Sequence, residues 1–536
     1  MFLLILSLIA QTPSWHCGTP VFEAMKTKAG FEVRGARDEG LNPDPHPQSL
    51  TPRPSASRPP RLGEKRTMWL QNMSVMPPVQ YQGSLTCRGT GNHVYVMVED
   101  SAWNAGLLDS AGVARIIDRF DNTSPRDSLH GAWYHNTTAF GQPPNTIDND
   151  SLIYLIYHNI GAFMGNSFDG FWMFFDEYYD TTSMRQWGYH SNEVECVYLD
   201  LHPNDPSTDY RIAIAAHEFE HMIHWNYDPA ESLWVNEGCA ELAMWLFGSP
   251  DPISGFNSTP DNDLTKWNGD WADYIKTYLW TLFLYEQYGD RGGNDLIRNI
   301  VASPYVSIAG VDSAFAATGL SARFEEVLDQ WVLANVINDT SYLDGRYGYH
   351  GVGVPRFGNA GIHASYPVSR SNSLDRWAGE YILFLKGLNL QLGFDGNDAA
   401  NFHVFMVAKD TLGHRLILDT LQLDSLQAGA ISVPGSDTGY QSVWLVPSSH
   451  YPSGRMSYAY TAAATGIEEE SFKPHASSCK QGGPTLVRAG ARLRLPAGTE
   501  LHGIDGRMAD QDRPLPAGVY WQTSDGARPR KIVSVP

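Results

Sequence analysis

The segment AAHEFEHMIHWN, residues 215–226, constrains the fold most, because its histidines and glutamates can act together only on a helix. Positions i and i+4 of a helix lie on one face, about 6 Å apart along the axis. His217 and His221 occupy such positions and can bind one zinc ion at about 2.0–2.1 Å. Glu218, next to the first histidine, can take a proton from the zinc-bound water. The pattern therefore predicts a metal-binding helix over residues 211–225.

A third histidine, His224, lies on the same helical face but seven residues beyond His217, about 10 Å along the axis. The ligand atoms that bind one zinc ion must lie within about 3–4 Å of each other, so His217 and His224 cannot share an ion on an unbroken helix. In the pattern H-E-x-x-H-x-x-G-x-x-H a glycine breaks the helix, but His224 itself stands at that glycine position and Tyr227 at the final histidine position. His224 is predicted to be a helix-surface or second-layer residue. The missing ligand should be a carboxylate on a neighbouring helix, and the segment LWVNEGCAE, residues 233–241, supplies one.

The pair HEFEH and LWVNEG resembles the gluzincin metallopeptidases, and most closely their hyicolysin-like secreted bacterial group. The resemblance implies an α+β zincin-like catalytic domain in which Glu237 is the third zinc ligand. It also implies that Glu241, one turn later, accepts a hydrogen bond from the ring nitrogen of His217 that does not bind the metal. A solvent-facing glutamate is the alternative. Residues 222–236 form a shorter connection than in better-known gluzincins, so a tight turn is expected at Asp228-Pro229. Cys239 is not expected to bind the metal, because the carboxylate already completes the site.

The segment DYIKTYLWTLFLYEQYG, starting at Asp273, is similar to the helix that carries the oxyanion-stabilising tyrosine of aminopeptidase N-like enzymes. The resemblance makes Tyr274 the candidate donor and Tyr278 the reserve, whereas in a helix this aromatic both could be core residues. Residues 161–166, GAFMGN, are similar to the G-x-M-E-N segment of those aminopeptidases but lack its glutamate. That difference favours cleavage within chains, with the peptide extended along an edge strand.

Composition changes along the chain divide it into five segments. An apolar run at Phe2–Ala10, too short to span a bilayer, predicts a signal peptide over residues 1–15, unless the start codon is assigned wrongly. Residues 16–87, which include a proline-rich stretch, are predicted to be a prosegment or a linker. Strand patterns followed by helix patterns predict the α+β unit over residues 88–345, and HVYVMVED reads as a half-buried strand. Short strands separated by Gly, Asp and Ser predict an all-β sandwich over residues 346–465.

The last segment, residues 466–536, resembles the C-terminal sorting domains of bacteria that use type IX secretion. The resemblance depends on the G-V-Y strand at residues 518–520 and on a final strand at Lys531-Ile532-Val533. It implies a secreted or cell-surface protein that meets a secretion machinery through this domain. An ordinary terminal β-domain is the alternative.

Charge and cysteine usage limit the other classes of function. The formal net charge is -21, with 38 Lys+Arg against 59 Asp+Glu, which disfavours a nucleic-acid partner. The five cysteines are scattered, which excludes a cysteine-rich zinc knuckle and leaves at most an isolated bridge, for example between Cys87 and Cys196. Two acidic turns, residues 261–263 and 395–398, have oxygen ligands suited to Ca²⁺, although such turns are usually only solvated.

Two functions therefore follow from the sequence. The first is a secreted zinc-dependent endopeptidase that acts on proteins or peptides and has no transmembrane span. The second is a surface adhesin or binding protein built on an inactive peptidase domain. Cleavage of an unfolded protein that depends on Glu218 distinguishes the two.

Overall fold

The chain was analysed as a computed structural model, which describes residues 17–26, 58–203, 205–288, 293–410, 416–434, 440, 442–451, 453–464 and 466–467 and four strands beyond them. It divides into two compact units, residues 1–468 and 469–536, each of which is described by itself. The first unit mixes helices and sheets and then continues with sheets alone.

A six-stranded sheet forms the first layer of the first unit, in the order β1-β2-β3-β4-β8-β7. Strands β3, β4 and β8 run parallel, whereas β1 and β2 at one edge and β7 at the other are antiparallel to their neighbours. A small hairpin, β5 and β6, lies between β4 and β7 in the chain. The strands are β1 (Lys65–Asn72), β2 (Val79–Thr90), β3 (Val94–Glu99), β4 (Ile153–His158), β5 (Ala162–Phe163), β6 (Asn166–Ser167), β7 (Gly170–Trp172) and β8 (Cys196–Asp200).

Two expectations about this sheet differ from the structure. Residues 94–98 of β3 are all buried, so this strand is not half-buried as the alternation in HVYVMVED indicated. A parallel strand between neighbours is covered on both faces, which removes the need for a polar face. The sheet also begins at Lys65, within the segment assigned to a prosegment or linker, and residue 88 lies inside β2 rather than at a boundary.

The helices provide the second layer and most of the core. They are α1 (Thr19–Lys26), α2 (Asp100–Asn104), α3 (Ser110–Asp121), α4 (Ala132–Ala139), α5 (Asp180–Gln186), α6 (Asp209–Tyr227), α7 (Leu233–Phe247), α8 (Trp271–Gln287), α9 (Gly293–Val301), α10 (Ser307–Ala317) and α11 (Phe324–Ile337). The predicted metal-binding helix is α6, and every residue of it from 211 to 225 is buried. The Thr208 side chain caps its N-terminus by accepting a hydrogen bond from the backbone N–H of Arg211.

Helices α6 and α7 are joined by a short turn, residues 228–232, as the spacing of the motifs required. Asp228 forms this turn: its backbone N–H donates to the carbonyl of His224, and its side chain accepts from the N–H of Ala230. The tight connection makes α7 fold back against α6. Gly238 of α7 in turn allows a close approach of α8, because a Cβ there would lie 2.4 Å from Thr281 Oγ1 and 3.0 Å from the carbonyl oxygen of Thr277.

Two antiparallel β-sheets follow the helices and pack around their own apolar core. Their orders are β10-β18-β13-β16 and β15-β14-β17-β11-β9, in which only the β9–β11 pair is parallel, and a short β12–β19 pair lies beside them. The strands are β9 (Gly361–His363), β10 (Val368–Asp375), β11 (Ile382–Phe384), β12 (Gly387–Leu388), β13 (Gln391–Gly396), β14 (Phe402–Lys409), β15 (Leu416–Leu421), β16 (Ala428–Ser432), β17 (Ser442–Ser449), β18 (Arg455–Ala463) and β19 (Gly466–Ile467).

The second unit contains one four-stranded sheet in the order β20-β23-β22-β21. Its strands are β20 (Thr485–Arg488), β21 (Thr499–Gly503), β22 (Gly518–Ser524) and β23 (Arg530–Val535). The G-V-Y sequence begins β22, and Lys531-Ile532-Val533 lies in β23, so both sequence signals of the sorting-domain resemblance fall on strands. Strand β23 pairs in parallel with β20 and antiparallel with β22.

Three smaller expectations can be compared with the part of the chain that the structure describes. No helix in it is long and apolar enough to cross a bilayer. Cys87 and Cys196 are separate buried thiols, so the bridge suggested between them is absent. The carboxylates of Asp261 and Asp263 contact Arg455 and Arg376, at 2.6 and 2.8 Å, an arrangement that disfavours Ca²⁺ at this turn.

One partly buried ionic contact joins helix α11 to the five-stranded β15-β14-β17-β11-β9 sheet. Asp329 of α11 lies 2.7 Å from His403 Nδ1 and 2.8 Å from His450 Nε2. The hydrogen bond that His403 donates to Asp329 raises the pKa of His403 above its ordinary value, although burial acts to lower it. Burial alone would raise the pKa of Asp329, but the two histidines lower it by more.

Replacing Asp329 by asparagine should lower thermal stability more at pH 6 than at pH 8. The raised pKa of His403 adds stability that is fully present below its unfolded value of about 6.5 and is lost as pH rises through the folded value. At pH 6 the loss should be about 1 kcal/mol, below the roughly 1.5–3 kcal/mol that is usual for a hydrogen bond to a charged group, because the His403 side chain is 42% exposed and solvent screens the pair. Thermal unfolding of Asp329→Asn and of the exposed control Asp419→Asn measures this. Equal shifts of Asp329→Asn at both pH values would contradict the prediction.

Candidate metal centre

Four metal-binding side chains from three separate segments converge at one buried point. They are Cys17, just before α1, His217 and His221 of α6, and Glu237 of α7. One ligand atom from each residue lies within 4.8 Å of the others, and all four residues are buried. Two imidazoles, a carboxylate and a thiol are donors that suit zinc. The donor set therefore fits a tetrahedral metal ion of this kind.

The distances between donor atoms support a single small ion. Glu237 places its two carboxylate oxygens 3.5 Å from His217 Nε2 and 3.7 Å from His221 Nε2. The Sγ of Cys17 lies 3.5 Å from His221 Nε2. Two bonds of about 2.0–2.3 Å at a tetrahedral angle place donor atoms roughly 3.3–3.8 Å apart. These separations therefore match the spacing that a shared ion requires.

The other ring nitrogen of each histidine faces an oxygen atom on α7. His217 Nδ1 lies 3.4 Å from the carboxylate of Glu241, and His221 Nδ1 makes a short contact with the amide oxygen of Asn236. A proton on Nδ1 that is directed at an oxygen fixes the tautomer in which Nε2 keeps its lone pair for a metal. Glu241 therefore lies where the sequence placed it, and Asn236 has the matching position beside the second histidine.

The predicted base, Glu218, is fully buried next to the four donors. Its Oε2 accepts a hydrogen bond of 2.8 Å from Thr19 Oγ1 and lies 3.6 Å from Cys17 Sγ. The edge strand β7 lies beside it at Gly170, where a Cβ would come within 3.1 Å of Glu218 Cγ and 2.9 Å of Ile214 Cγ2. A glycine at this position therefore lets helix α6 approach the edge strand closely.

Tyr274 approaches the same point from the first turn of α8. It is buried, and its hydroxyl donates to the backbone carbonyl of Cys17 at 3.4 Å. Burial raises the pKa of Tyr274 well above its ordinary value, and the negative charge of Glu237 raises it further. The Tyr274 hydroxyl therefore remains a proton donor at neutral pH. Tyr278, the reserve candidate, is also buried, but its hydroxyl has no hydrogen-bond partner among the described residues.

His224 lies outside this cluster, as helix rise predicted, but it is fully buried rather than on the helix surface. Its Nδ1 lies 3.1 Å from Glu220, and together with Cys239 these residues form a second buried group. Burial lowers the pKa of His224, but the carboxylate of Glu220 raises it by more. His224 and Glu220 are therefore best described as a buried ion pair, and Cys239 faces that pair and not the first cluster.

A narrow cleft opens beside His221, one of the four donors. Its walls include His221, Asn236, Trp172 and Trp225, and residues Thr19 and Glu23 of α1 close one side of it.

The G-x-M-E-N-like segment, residues 161–166, forms the β5–β6 hairpin, whose Met164 is 76% exposed.

Sequence reasoning missed two residues at this centre, Cys17 and Thr19. Both lie in the segment that was assigned to a prosegment or linker, far along the chain from His217. A lone cysteine shortly after a predicted signal peptide was the available signal, but its partner could not be read from spacing.

Comparisons with known proteins give no family for the chain. No family model matches it, and no curated protein does. The similarity to solved structures is weak, and three of the matching structures serve as examples. The first is a family GH115 4-O-methyl-α-glucuronidase with specificity for decorated arabinogalactans, at 7% identity and a TM-score of 0.13, and the match covers 62% of this chain and 54% of that one.

The other two structures are IMPa metallopeptidases. One, in complex with T-antigen, has 9% identity and a TM-score of 0.14, and the match covers 71% of this chain and 48% of that one. The other, from Pseudomonas aeruginosa, has 10% identity and a TM-score of 0.12, with coverages of 71% and 47%. The chain thus spans about half the length of these structures, and similarity at this level carries no argument about its fold or activity.

Replacing Glu237 by alanine should remove metal binding, whereas replacing His224 by glutamine should preserve it. Changes behind a metal ligand typically cost about 10–100-fold in affinity, and loss of a ligand should cost at least as much. Glutamine at position 224 can still bond to Glu220, so that pair is altered without an empty space. Metal content after dialysis and zinc affinity by competition with a chelator measure the difference. Equal zinc affinity in both variants would contradict the assignment of Glu237.

Proposed function

We propose that the chain is a zinc-dependent endopeptidase with a zincin-like catalytic region of the gluzincin type. One observation supports this most strongly: the Nε2 atoms of His217 and His221 face both oxygens of Glu237, at 3.5 and 3.7 Å, beside the buried carboxylate of Glu218. A zinc ion held by the three ligands would supply a Lewis acid that activates water and polarises a carbonyl group.

Each remaining residue has a distinct role in this proposal. Glu218 accepts the proton of the attacking water and later passes it to the leaving amine. Glu241 and Asn236 hold the two imidazoles in the ligand tautomer. Tyr274 donates its hydroxyl proton in a hydrogen bond to the oxygen on which negative charge develops. The burial of Glu218, Glu241 and Tyr274 strengthens the electrostatic interactions among them.

The edge strand β7 supports an extended peptide as the substrate. Its outer side is free of a neighbouring long strand in the sheet order, and β7 lies against Glu218 through Gly170. A peptide can bind to such an edge through its main chain, and this mode does not depend on a free terminus. The lack of a glutamate in residues 161–166 also favours cleavage within chains. We propose, in addition, that the protein acts outside the cell or on its surface and that residues 466–536 direct it there.

Substituting Glu218 by glutamine should abolish proteolysis but leave zinc binding intact. General base catalysis contributes about 10²–10⁴-fold, so kcat should fall by at least about 100-fold. Cleavage of casein and the zinc content of the purified variant are the two measurements. An adhesin built on an inactive peptidase domain would bind zinc but cleave casein no differently in wild type and variant. That result would refute the proposed function.

Substituting Tyr274 by phenylalanine should lower kcat by about 10²–10³-fold, the usual cost of removing one oxyanion donor. KM should change little, because the hydroxyl acts mainly as charge develops on the oxygen. Tyr278→Phe is the matched control from the next turn of α8 and should retain most of the activity. The opposite order of effects would assign the role to Tyr278. Steady-state kinetics on a peptide with an internal fluorophore and quencher distinguish the two variants.

A further inference from the structure

Residues 17–26 lie over the candidate metal centre, and they contact each of its reactive parts. The Cys17 Sγ is one of the four converging donors, 3.5 Å from His221 Nε2. Thr19 Oγ1 donates to Glu218, and Tyr274 donates to the Cys17 carbonyl. The metal position, the base and the oxyanion donor are therefore all occupied by one short segment of the same chain.

The segment also pairs with the edge strand β7. The backbone N–H of Gly18 donates to the carbonyl of Gly170 at 2.9 Å, and Cys17 forms a parallel bridge with Gly170. Thr19 Oγ1 accepts from the N–H of Trp172 at 2.8 Å. The residues that would pair with a bound peptide are thus already paired with residues 17–19. A substrate cannot occupy the same edge until this segment leaves.

The sulfur of Cys17 also accepts a backbone hydrogen bond. The backbone N–H of Thr19, at the start of α1, points to Cys17 Sγ at 3.3 Å. An N–H donor at a helix N-terminus favours negative charge on the atom that it faces. This contact is independent of the four-donor cluster, and it helps to hold the sulfur beside the other donors.

Apolar side chains of α1 anchor the segment beside the site. Val21, Phe22 and Met25 are buried, and Phe22 packs against Phe171 and Phe175 with ring centroids 5.0 and 6.2 Å away. Burying one such side chain contributes roughly 1.5–3 kcal/mol. The contacts are specific to this position, because a Cβ on Gly18 would lie 3.0 Å from Phe171 Cβ and 3.2 Å from Met73 Cε.

We infer that Cys17 is the fourth ligand of the metal in this form of the chain, and that residues 17–26 are an intramolecular inhibitor of the site. The inference rests on the proposed function for its inhibitory part and on the donor geometry for the ligand itself. On release, the Cys17 thiolate leaves the metal and takes a proton from solvent. The ligand position, Glu218 and β7 then become accessible to water and peptide.

Cobalt substitution tests ligation by Cys17 without any measurement of activity. The full chain with Glu218→Gln, which should not cleave itself, is loaded with Co²⁺ and its near-ultraviolet absorption is recorded. We expect a thiolate-to-cobalt charge-transfer band in this protein and in Glu218→Gln/Cys239→Ser, because Cys239 is equally buried but faces Glu220 and His224. The band should be absent from Glu218→Gln/Cys17→Ser. Its absence from the first protein, or its persistence without Cys17, would overturn the inference.

Activity measurements test the inhibitory role. Cys17→Ala should raise kcat/KM on casein by roughly tenfold or more, because a closed form that holds about 90% of the molecules limits the competent fraction to a tenth. Cys239→Ala should have no such effect. A recognition site for an unrelated protease, inserted between Lys26 and Arg58, should give the same increase after cutting. Equal activity of wild type, Cys17→Ala and the cut chain would overturn the inhibitory role.

The two failures can be distinguished. If no variant cleaves casein but the cobalt band depends on Cys17, ligation is supported and the proposed peptidase function is refuted. If Glu218-dependent cleavage occurs at one rate in all forms without a cobalt band, the function stands and the inference fails. Casein cleavage is therefore also compared between Cys17→Ala and Cys17→Ala/Glu218→Gln, in which the site is open.

Discussion

The packing of α7 against α6 is the contact on which the rest of the candidate centre depends. It places Glu237 opposite His217 and His221 and brings three carboxylates, those of Glu218, Glu237 and Glu241, into full burial. A buried carboxylate is costly unless a cation or hydrogen-bond donors face it. A divalent cation bound at the donor cluster would offset the negative charge of these carboxylates.

Sequence reasoning predicted the parts of the centre that depend on local spacing. His217 and His221 converge because residues four apart share a helical face, and the distance that separates His224 also follows from helix rise. Glu237 was predicted to be a ligand only through the resemblance of LWVNEG to the gluzincin pattern. The short turn at residues 228–232 is what then brings it opposite the two histidines. Cys17 could be predicted neither from spacing nor from the resemblance. Its contact with His221 joins residues that lie 204 positions apart in the chain, and no periodic pattern in the sequence indicates such a contact.

The same distinction between local and distant information applies to the fold. Helix α6 begins and ends two residues outside its predicted limits of 211 and 225, because caps and apolar faces are encoded locally. Strands β1 and β2 were not predicted. Strand β1 lies at the edge of the sheet and mixes exposed and buried residues, and its partner β2 is determined by pairing and not by composition. Strand β3 was assigned one polar face because alternation cannot show that helices cover both sides of a parallel strand.

The charge of the ligand set links the further inference to the chemistry. Glu237 and a Cys17 thiolate together carry two negative charges, which neutralise a divalent ion, and the two histidines add none. If the inference holds, release of Cys17 would leave one positive charge on a bound divalent ion, next to the proposed oxyanion donor Tyr274 and the proposed base Glu218. In a buried site this charge acts strongly on a carbonyl oxygen, because the surroundings screen it weakly. Cys17 would thus close the site and also neutralise the charge that the proposed reaction requires. A form in which the rest of the segment moves away while Cys17 stays on the metal would therefore remain inactive.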